Sequence, residues 1–468
     1  MMAERLLFLT GHLAEARLRR LVADELGTKF TARIVNLGVK VAALMTEAIV
    51  RRRLHPPLDA DRVIFPGRAG LDAAALTRHF GVPFERGPDE IVDLPAFLGL
   101  AAGARDLSRF DIRLFAEIVE AGALDRGALL ARARALVAEG ADVIDLGCRP
   151  GAAFPDLEAK IGDLRAAGIA VSVDSGDPAE LRRGALAGAA FLLSLTEATL
   201  EIAAGTKATP VLIPAPHGDL ASLVRAAAKA ERMGLSFLVD PILDPIHSGL
   251  SASLIRYAET RRLLPRAEIL MGTGNLTELT DADSAGVTAI LLGICSELGI
   301  RNVLTVQVSP HTRRTLAEHD AARRMLFAAR ADGALPRLYS DALLQVHDRV
   351  PLAQNAADLA TLAAATRDEN YRIAVAEDGI HVFNSRQHIV RQDALSCYPD
   401  LALAGDPAHA FYLGAELAKA EIAFRLGKRY VQDEALRFGV AAAELARDRT
   451  RLAEAGHTLR ARNDAAHS

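Results

Sequence analysis

Two short runs restrict the fold more than anything else in the chain. GADVIDLGCRPG, residues 140–151, carries an apolar β-branched run into Asp145 and then a Gly-Cys-Arg-Pro-Gly turn. Further on, AVSVDSG takes Val171 to Val173 into Asp174, followed by Ser175, Gly176 and Asp177. An apolar run that ends in an acid and a glycine turn reads as a buried parallel strand delivering a carboxylate to its C-terminal end. In an α/β barrel that end is the functional face.

The same device recurs between residues 110 and 310. Strand-like runs end near Glu117, Asp145, Asp174, Ser194, Pro214, Asp240, Gly272 and Gln307, with helix-length connections between them. The segment Asp177-Pro178 reads as an N-cap followed by proline at the first helical position. Eight such units in about 200 residues is the arithmetic of a (β/α)8 TIM barrel. A doubly wound open sheet is the alternative.

The chain is longer than one core supports, so flanking domains are expected. Residues 1–108 read as a small Rossmann-like α/β domain. Its strands are Leu6–Leu9, Ala32–Asn36 and Arg62–Phe65, its helices Glu15–Leu26, a stretch through Arg53, and Leu71–Phe80. The turns Thr10-Gly11-His12 and Pro66-Gly67-Arg68 are no phosphate-binding fingerprint, so this domain reads as accessory. The barrel occupies 109–340, with helix expected over 315–340. Residues 341–468 read as an α+β domain: a hairpin of Tyr371–Val375 and Gly379–Asn384 about a Glu-Asp-Gly turn, helices Ala408–Leu426 and Asp433–Leu452, and a frayed tail.

A net charge of −4 shows no basic excess and argues against nucleic acid as a partner. No apolar run is long enough to span a bilayer, and without a leader segment a cytoplasmic protein is expected. Cys148, Cys295 and Cys397 are too far apart for a metal-ligand spacing. Cys148, in the first key loop, reads as a small residue fitting a tight turn rather than a reactive thiol.

GADVIDLGCRPG resembles the second-strand motif of the dihydropteroate synthases, in which GAD-I-ID-GG precedes a Ser-Thr-Arg-Pro-Gly loop. AVSVDSG is similar to that family's Ser-Val-Asp-Thr third strand, and FLVDPILDP to its Leu-Asp-Pro-Gly sixth strand. The resemblance implies a pterin-binding barrel in which Asp174, Ser194 and Asp240 hold the pterin. Ser194 stands where the family has Asn. Gly272-Thr273-Gly274-Asn275 replaces its Ser-Arg-Lys loop, and Thr305-Val306-Gln307 its diphosphate-binding Arg-x-His.

Glu117 and Asn275 resemble instead the pterin-binding methyltransferases of corrinoid systems, although no cobalamin-binding Asp-x-His-x-x-Gly is present. As a whole the chain looks like the dihydropteroate synthase-related proteins of organisms that make tetrahydromethanopterin. That resemblance implies coupling of a dihydropterin methyl diphosphate to a ribofuranosylaminobenzene phosphate, with Mg²⁺ entering on the diphosphate. Within that scheme Asp174, Asp240 and Asn275 are expected on the pterin and Asp145 and Arg149 beside them; His311 with Arg313, close after the last strand, is expected on phosphate, a solvated basic helix start being the alternative. Barrel relatives commonly dimerise, so a homodimer is expected. A methyl-carrier subunit and a non-catalytic scaffold of a pterin pathway are the competing readings.

Overall fold

A computed structural model describes residues 4–23, 30–88, 91–99, 106–401, 403 and 405–442. They form two compact units. One takes in Asp106–Gln345 with residues 438–442; the other combines the described residues up to 99 with Val346–Arg437. The N- and C-terminal segments, expected as separate domains, thus belong to one unit.

In that unit the first four strands are β1 (Glu4–Thr10), β2 (Phe30–Asn36), β3 (Arg62–Phe65) and β4 (Phe84–Arg86). They pair in parallel in the order β2-β1-β3-β4. Apolar residues alternate between two cores: Leu7, Leu9, Val63 and Phe65 pack on one face, Leu6, Phe8 and Ile64 on the other. Both faces are covered, as parallel strands require. The first helix is His12–Leu21, and the rest of the expected Glu15–Leu26 lies partly outside the described residues.

The barrel strands are β5 (Arg113–Ile118), β6 (Val143–Gly147), β7 (Ala170–Asp174), β8 (Phe191–Leu195), β9 (Thr209–Leu212), β10 (Leu238–Val239), β11 (Glu268–Gly272) and β12 (Asn302–Val306). All pair in parallel, and β12 returns to β5, so the sheet closes. This is the (β/α)8 barrel; the open-sheet alternative falls. Period-two alternation sorts each strand. Phe115, Val143, Phe191, Leu193, Val211, Leu238 and Leu270 fill the interior. Their neighbours Leu114, Ile144, Val171, Leu192, Leu212, Val239 and Ile269 face the surrounding helices.

Helix starts follow the caps legible in the sequence. Asp125, Asp177 and Asp219 accept from the first-turn N–H groups of Ala128, Ala179 and Ala221. The helix expected over 315–340 stops earlier, spanning Thr315–Ala331.

The third sheet, β13 (Arg372–Ala376), β14 (Gly379–Phe383) and β15 (His388–Arg391), is antiparallel and backed by the helix Pro407–Leu426. The expected helix from Asp433 does not form over its described part. Asp433 itself has a φ of 69°, and Gly439 a φ of 51°. Residues 438–442 instead join the barrel unit, where Val440 accepts from Arg314 Nε at 2.9 Å. The remainder of that helix and the tail lie outside the described residues.

Candidate active site

Because Phe115, Val143 and Leu238 point inward, the residues two places on do so as well. These are Glu117, Asp145 and Asp240, and Asp174 ends β7 beside them. In the sheet register Glu117 lies opposite Asp145, Asp145 opposite Ser172, and Gly147 opposite Asp174. Four carboxyl groups therefore converge inside the C-terminal mouth of the barrel. Gly147 makes this possible: a Cβ there would stand 2.7 Å from Glu117 Oε1. The glycine of IDLG thus clears the seat of the first-strand acid.

Burial and mutual repulsion hold this cluster away from ordinary carboxylate behaviour. Burial, then the charge of Asp174, pushes Glu117 up to about 7. Burial pushes Asp240 up to about 6, against hydrogen bonds from Tyr257 Oη at 2.7 Å and Ile242 N at 2.8 Å. Asp174 is raised by burial. Asp145 is raised well above the usual range by burial and then by Asp174, opposed by the Ser172 hydroxyl. Ser172 donates to Asp145 Oδ1, while the buried Oδ2 has no partner. An unpartnered, fully buried carboxyl oxygen is costly unless a ligand or proton meets it.

The other expected residues are placed less closely together. Ser194 occupies the irregularity between Leu192 and Leu195, where β8 carries one residue more than β9. Asn275 is exposed and donates to the Leu243 carbonyl at 2.7 Å, joining the loops after β11 and β10. The Arg149 side chain is 67% exposed and faces Glu120 at 3.8 Å. His311 Nε2 lies 3.1 Å from the Thr277 carbonyl oxygen, and Arg313 is exposed. His311 thus belongs to a lacing of two loops in which Glu278 accepts from Val308 N, Ser309 N and Thr312 Oγ1. The structure does not bring Arg149, His311 or Arg313 into the carboxylate cluster. Burial and the neighbouring Glu180 push the Cys148 thiol up to about 12, so no thiolate nucleophile is present there.

One constellation on this rim was missed by reasoning from sequence. His217 Nε2 lies 2.9 Å from Asp244 Oδ1, and Arg256 reaches Asp244 Oδ2 at 2.8 Å. Arg256 also donates to the carbonyls of Pro241 and Ile242, the loop that carries Asp240. The signal was present in Pro214-Ala215-Pro216-His217-Gly218 and in the second Asp-Pro of FLVDPILDP. Tyr257, on the helix Leu250–Leu263, offered none, because an aromatic on a buried helix face ordinarily means core.

Among the described residues no helix is long and apolar enough to cross a membrane. Also among them, no group of three or more His, Cys, Asp or Glu side chains is placed to hold a metal ion.

Comparison with known proteins gives matches to separate parts of the chain. Residues 4–89 match a family of unknown function, DUF6513. Residues 383–433, in the C-terminal segment rather than the barrel, match a family described as PterinBD-DUF4346. An uncharacterized protein of Methanocaldococcus jannaschii is 28% identical over 372 residues, 69% of this chain and 69% of that one. Among solved structures, dihydropteroate synthase from Thermus thermophilus is similar with 22% identity and a TM-score of 0.38, covering 48% of this chain and 95% of that one. The Yersinia pestis enzyme with a pterine-sulfa conjugate gives 17%, 0.38, 48% and 96%. The 7,8-dihydropteroate synthase of Vibrio fischeri gives 14%, 0.39, 48% and 94%.

Proposed function

We propose that the barrel binds a reduced pterin and acts as a dihydropteroate synthase-like transferase. In this reading it couples a dihydropterin methyl diphosphate to a ribofuranosylaminobenzene phosphate with loss of diphosphate. The observation that carries the reading is the convergence of Glu117, Asp145, Asp174 and Asp240, with Asp145 Oδ2 buried and unpartnered. A pterin presents adjacent N–H donors on its 2-aminopyrimidinone edge, and carboxylates answer them with charge-assisted hydrogen bonds. The match of residues 383–433, which lie outside the barrel, to a family named for pterin binding supports a pterin role for the chain without bearing on the barrel site.

In the coupling step the methylene C–O bond to diphosphate breaks and a C–N bond to the arylamine forms. The departing pair stays on diphosphate, and the arylamine nitrogen gives up a proton. His217, held by Asp244, stands on the same rim to accept that proton. Mg²⁺ belongs to this scheme as the companion of the diphosphate, which supplies its own oxygen ligands.

The direct test incubates the protein with dihydropterin methyl diphosphate, Mg²⁺ and the arylamine phosphate. Release of diphosphate with a coupled pterin is expected; no coupling by folded protein that binds the pterin would overturn the transferase. Binding is tested separately. Asp240→Asn is expected to weaken pterin affinity by ~1.5–3 kcal/mol, as for a lost charged hydrogen bond. N–H donors favour the ionised carboxyl, so affinity rises as pH climbs through about 6, where Asp240 ionises, and falls below it. Calorimetry from pH 5 to 8 showing no binding at millimolar pterin would remove the reading.

A second reading, methyl transfer to a corrinoid carried by another chain, draws on Asn275 in the loop after β11 and on Glu117. Under the coupling reading, Asn275→Ala lowers pterin affinity but leaves saturated turnover within about tenfold, ~1.4 kcal/mol. Methylation of added cobalamin by a methyl-pterin, lost in Asn275→Ala, would favour the methyltransferase instead.

A further inference from the structure

The N-terminal sheet carries chemistry of its own. In the order β2-β1-β3-β4, the chain leaves β1 toward one side for β2 and lies on the other side for β3 and β4. Strand order therefore reverses between β1 and β3, and in open parallel sheets ligands bind in the crevice beyond the carboxyl ends at that reversal. A cavity of about 370 Å³ opens there. Its floor includes Leu9, Thr10, Phe65 and Pro66, the ends of the two strands. Volumes of roughly 300–1,000 Å³ are typical of small-molecule sites.

The two turns that carry no phosphate fingerprint flank this cavity. Gly11 is required by a close approach: a Cβ there would meet the Val39 carbonyl oxygen at 2.7 Å and Ala42 N at 3.0 Å. The first N–H groups of the helix His12–Leu21 are already taken, since His12 N and Leu13 N donate to Val39 and Lys40 carbonyls. The helix end is therefore closed to an anion, and recognition falls to side chains. The walls are small and apolar, with Ala14, Val41 and Ala42 among them. The charged residues of the lining are Arg17, Arg20 and Arg68 with a single acid, Asp358. Arg17 is held in place by donating through Nη2 to the Ala353 carbonyl. Arg20 lies 3.9 Å from Asp358, so the three arginines outweigh that one acid.

We propose that this crevice is a binding site, separate from the barrel, for a small molecule with an apolar ring body and one acidic group, a carboxylate or a phosphate. The apolar walls receive the ring, and Arg17 meets the acid with a planar guanidinium suited to two oxygens. The site stands independently of the pterin reading, because no residue of the barrel enters it.

The test uses the full chain with three probes of one ring: 1-naphthyl phosphate, 1-naphthoate and neutral 1-naphthalenemethanol. The chain has no tryptophan, so naphthalene fluorescence reports binding free of tryptophan emission, and calorimetry gives the affinity and stoichiometry. One acidic probe per chain is expected to bind at least tenfold more tightly than the alcohol. Whichever acid binds tighter distinguishes phosphate from carboxylate. Arg17→Ala should erase the preference for the acid, and Ala42→Phe should abolish binding of all three; Ala14→Phe serves the same purpose if Ala42→Phe fails to fold by circular dichroism. Binding untouched by the filling variants, equal affinity for the alcohol, or no binding at millimolar probe would each overturn the proposal.

Discussion

Arg323→Ala is expected to destabilise the barrel by ~1.5–3 kcal/mol, the cost of losing the hydrogen bonds of a buried charged group whose carboxylate partners Asp142 and Asp320 still reach water. Arg323 lies on the helix Thr315–Ala331 and is 2% exposed. Its guanidinium donates to Asp142 Oδ2, to the carbonyls of Ile112 and Gly140, and to Asp320, and it lies 3.6 Å from the Phe110 ring centre. Ile112 precedes β5 and Gly140 precedes β6, so one side chain of the last barrel helix holds the N-terminal ends of the first two strands. Asp142 Oδ2 also accepts from Leu114 N. Lysine does not rescue, because an ammonium cannot reach four acceptors in the plane of a guanidinium. Hydrogen exchange of the β5 and β6 amides together with calorimetry reads the loss. A change below about 1 kcal/mol would show that closure of the barrel does not depend on this contact.

That contact also explains why the opening motif was so informative. GADVIDLG does two jobs at opposite ends of one strand. Gly140 has a φ of 118°, and a Cβ there would stand 2.7 Å from Asp320 Cβ, so glycine is needed where the last helix crosses. Asp142 serves that same closure, whereas Asp145 serves the site. The strands were legible because apolar period and turn residues agree at each of them. The helix from Asp433 was misread because its composition favours helix while its tertiary setting does not. Its segment turns through positive φ and hydrogen-bonds to the barrel unit through Val440, information that no local window contains.

The site was legible where a strand fixes the side chain and illegible where a loop does. Glu117, Asp145, Asp174 and Asp240 follow from alternation alone, since a strand that puts Phe115 or Val143 inside puts the residue two places on inside too. Arg149, His311 and Arg313 lie in loops after strands, where nearness in sequence to the rim says nothing about direction. Asp244 escaped notice for the complementary reason. It follows Asp240 after one turn of irregular chain, and only the structure shows it holding His217 and Arg256.

The chemistry of the cluster carries a stability cost that one substitution should expose. Glu117→Gln is expected to raise stability at pH 8 by ~3 kcal/mol and to leave it nearly unchanged at pH 4. Glu117 ionises near 7 in the folded protein against 4.5 for an ordinary glutamate. The folded state therefore binds more protons than the unfolded one between those values. Stability falls as pH rises from about 4.5 to about 7 and is level above that. Glutamine matches the neutral acid in shape and does not titrate, so the variant loses this slope, and the gain appears only where the native glutamate is charged. Removing one charge also eases the repulsion on Asp145 and Asp174, which adds in the same direction. A gain in stability at a site residue is the mark of a group kept for function against the preference of the fold. Thermal unfolding from pH 4 to 8 decides it: parallel profiles for the two proteins would mean that Glu117 is not a buried, repelled acid, and the picture of a strained carboxylate ring awaiting a hydrogen-bond donor would fail with it.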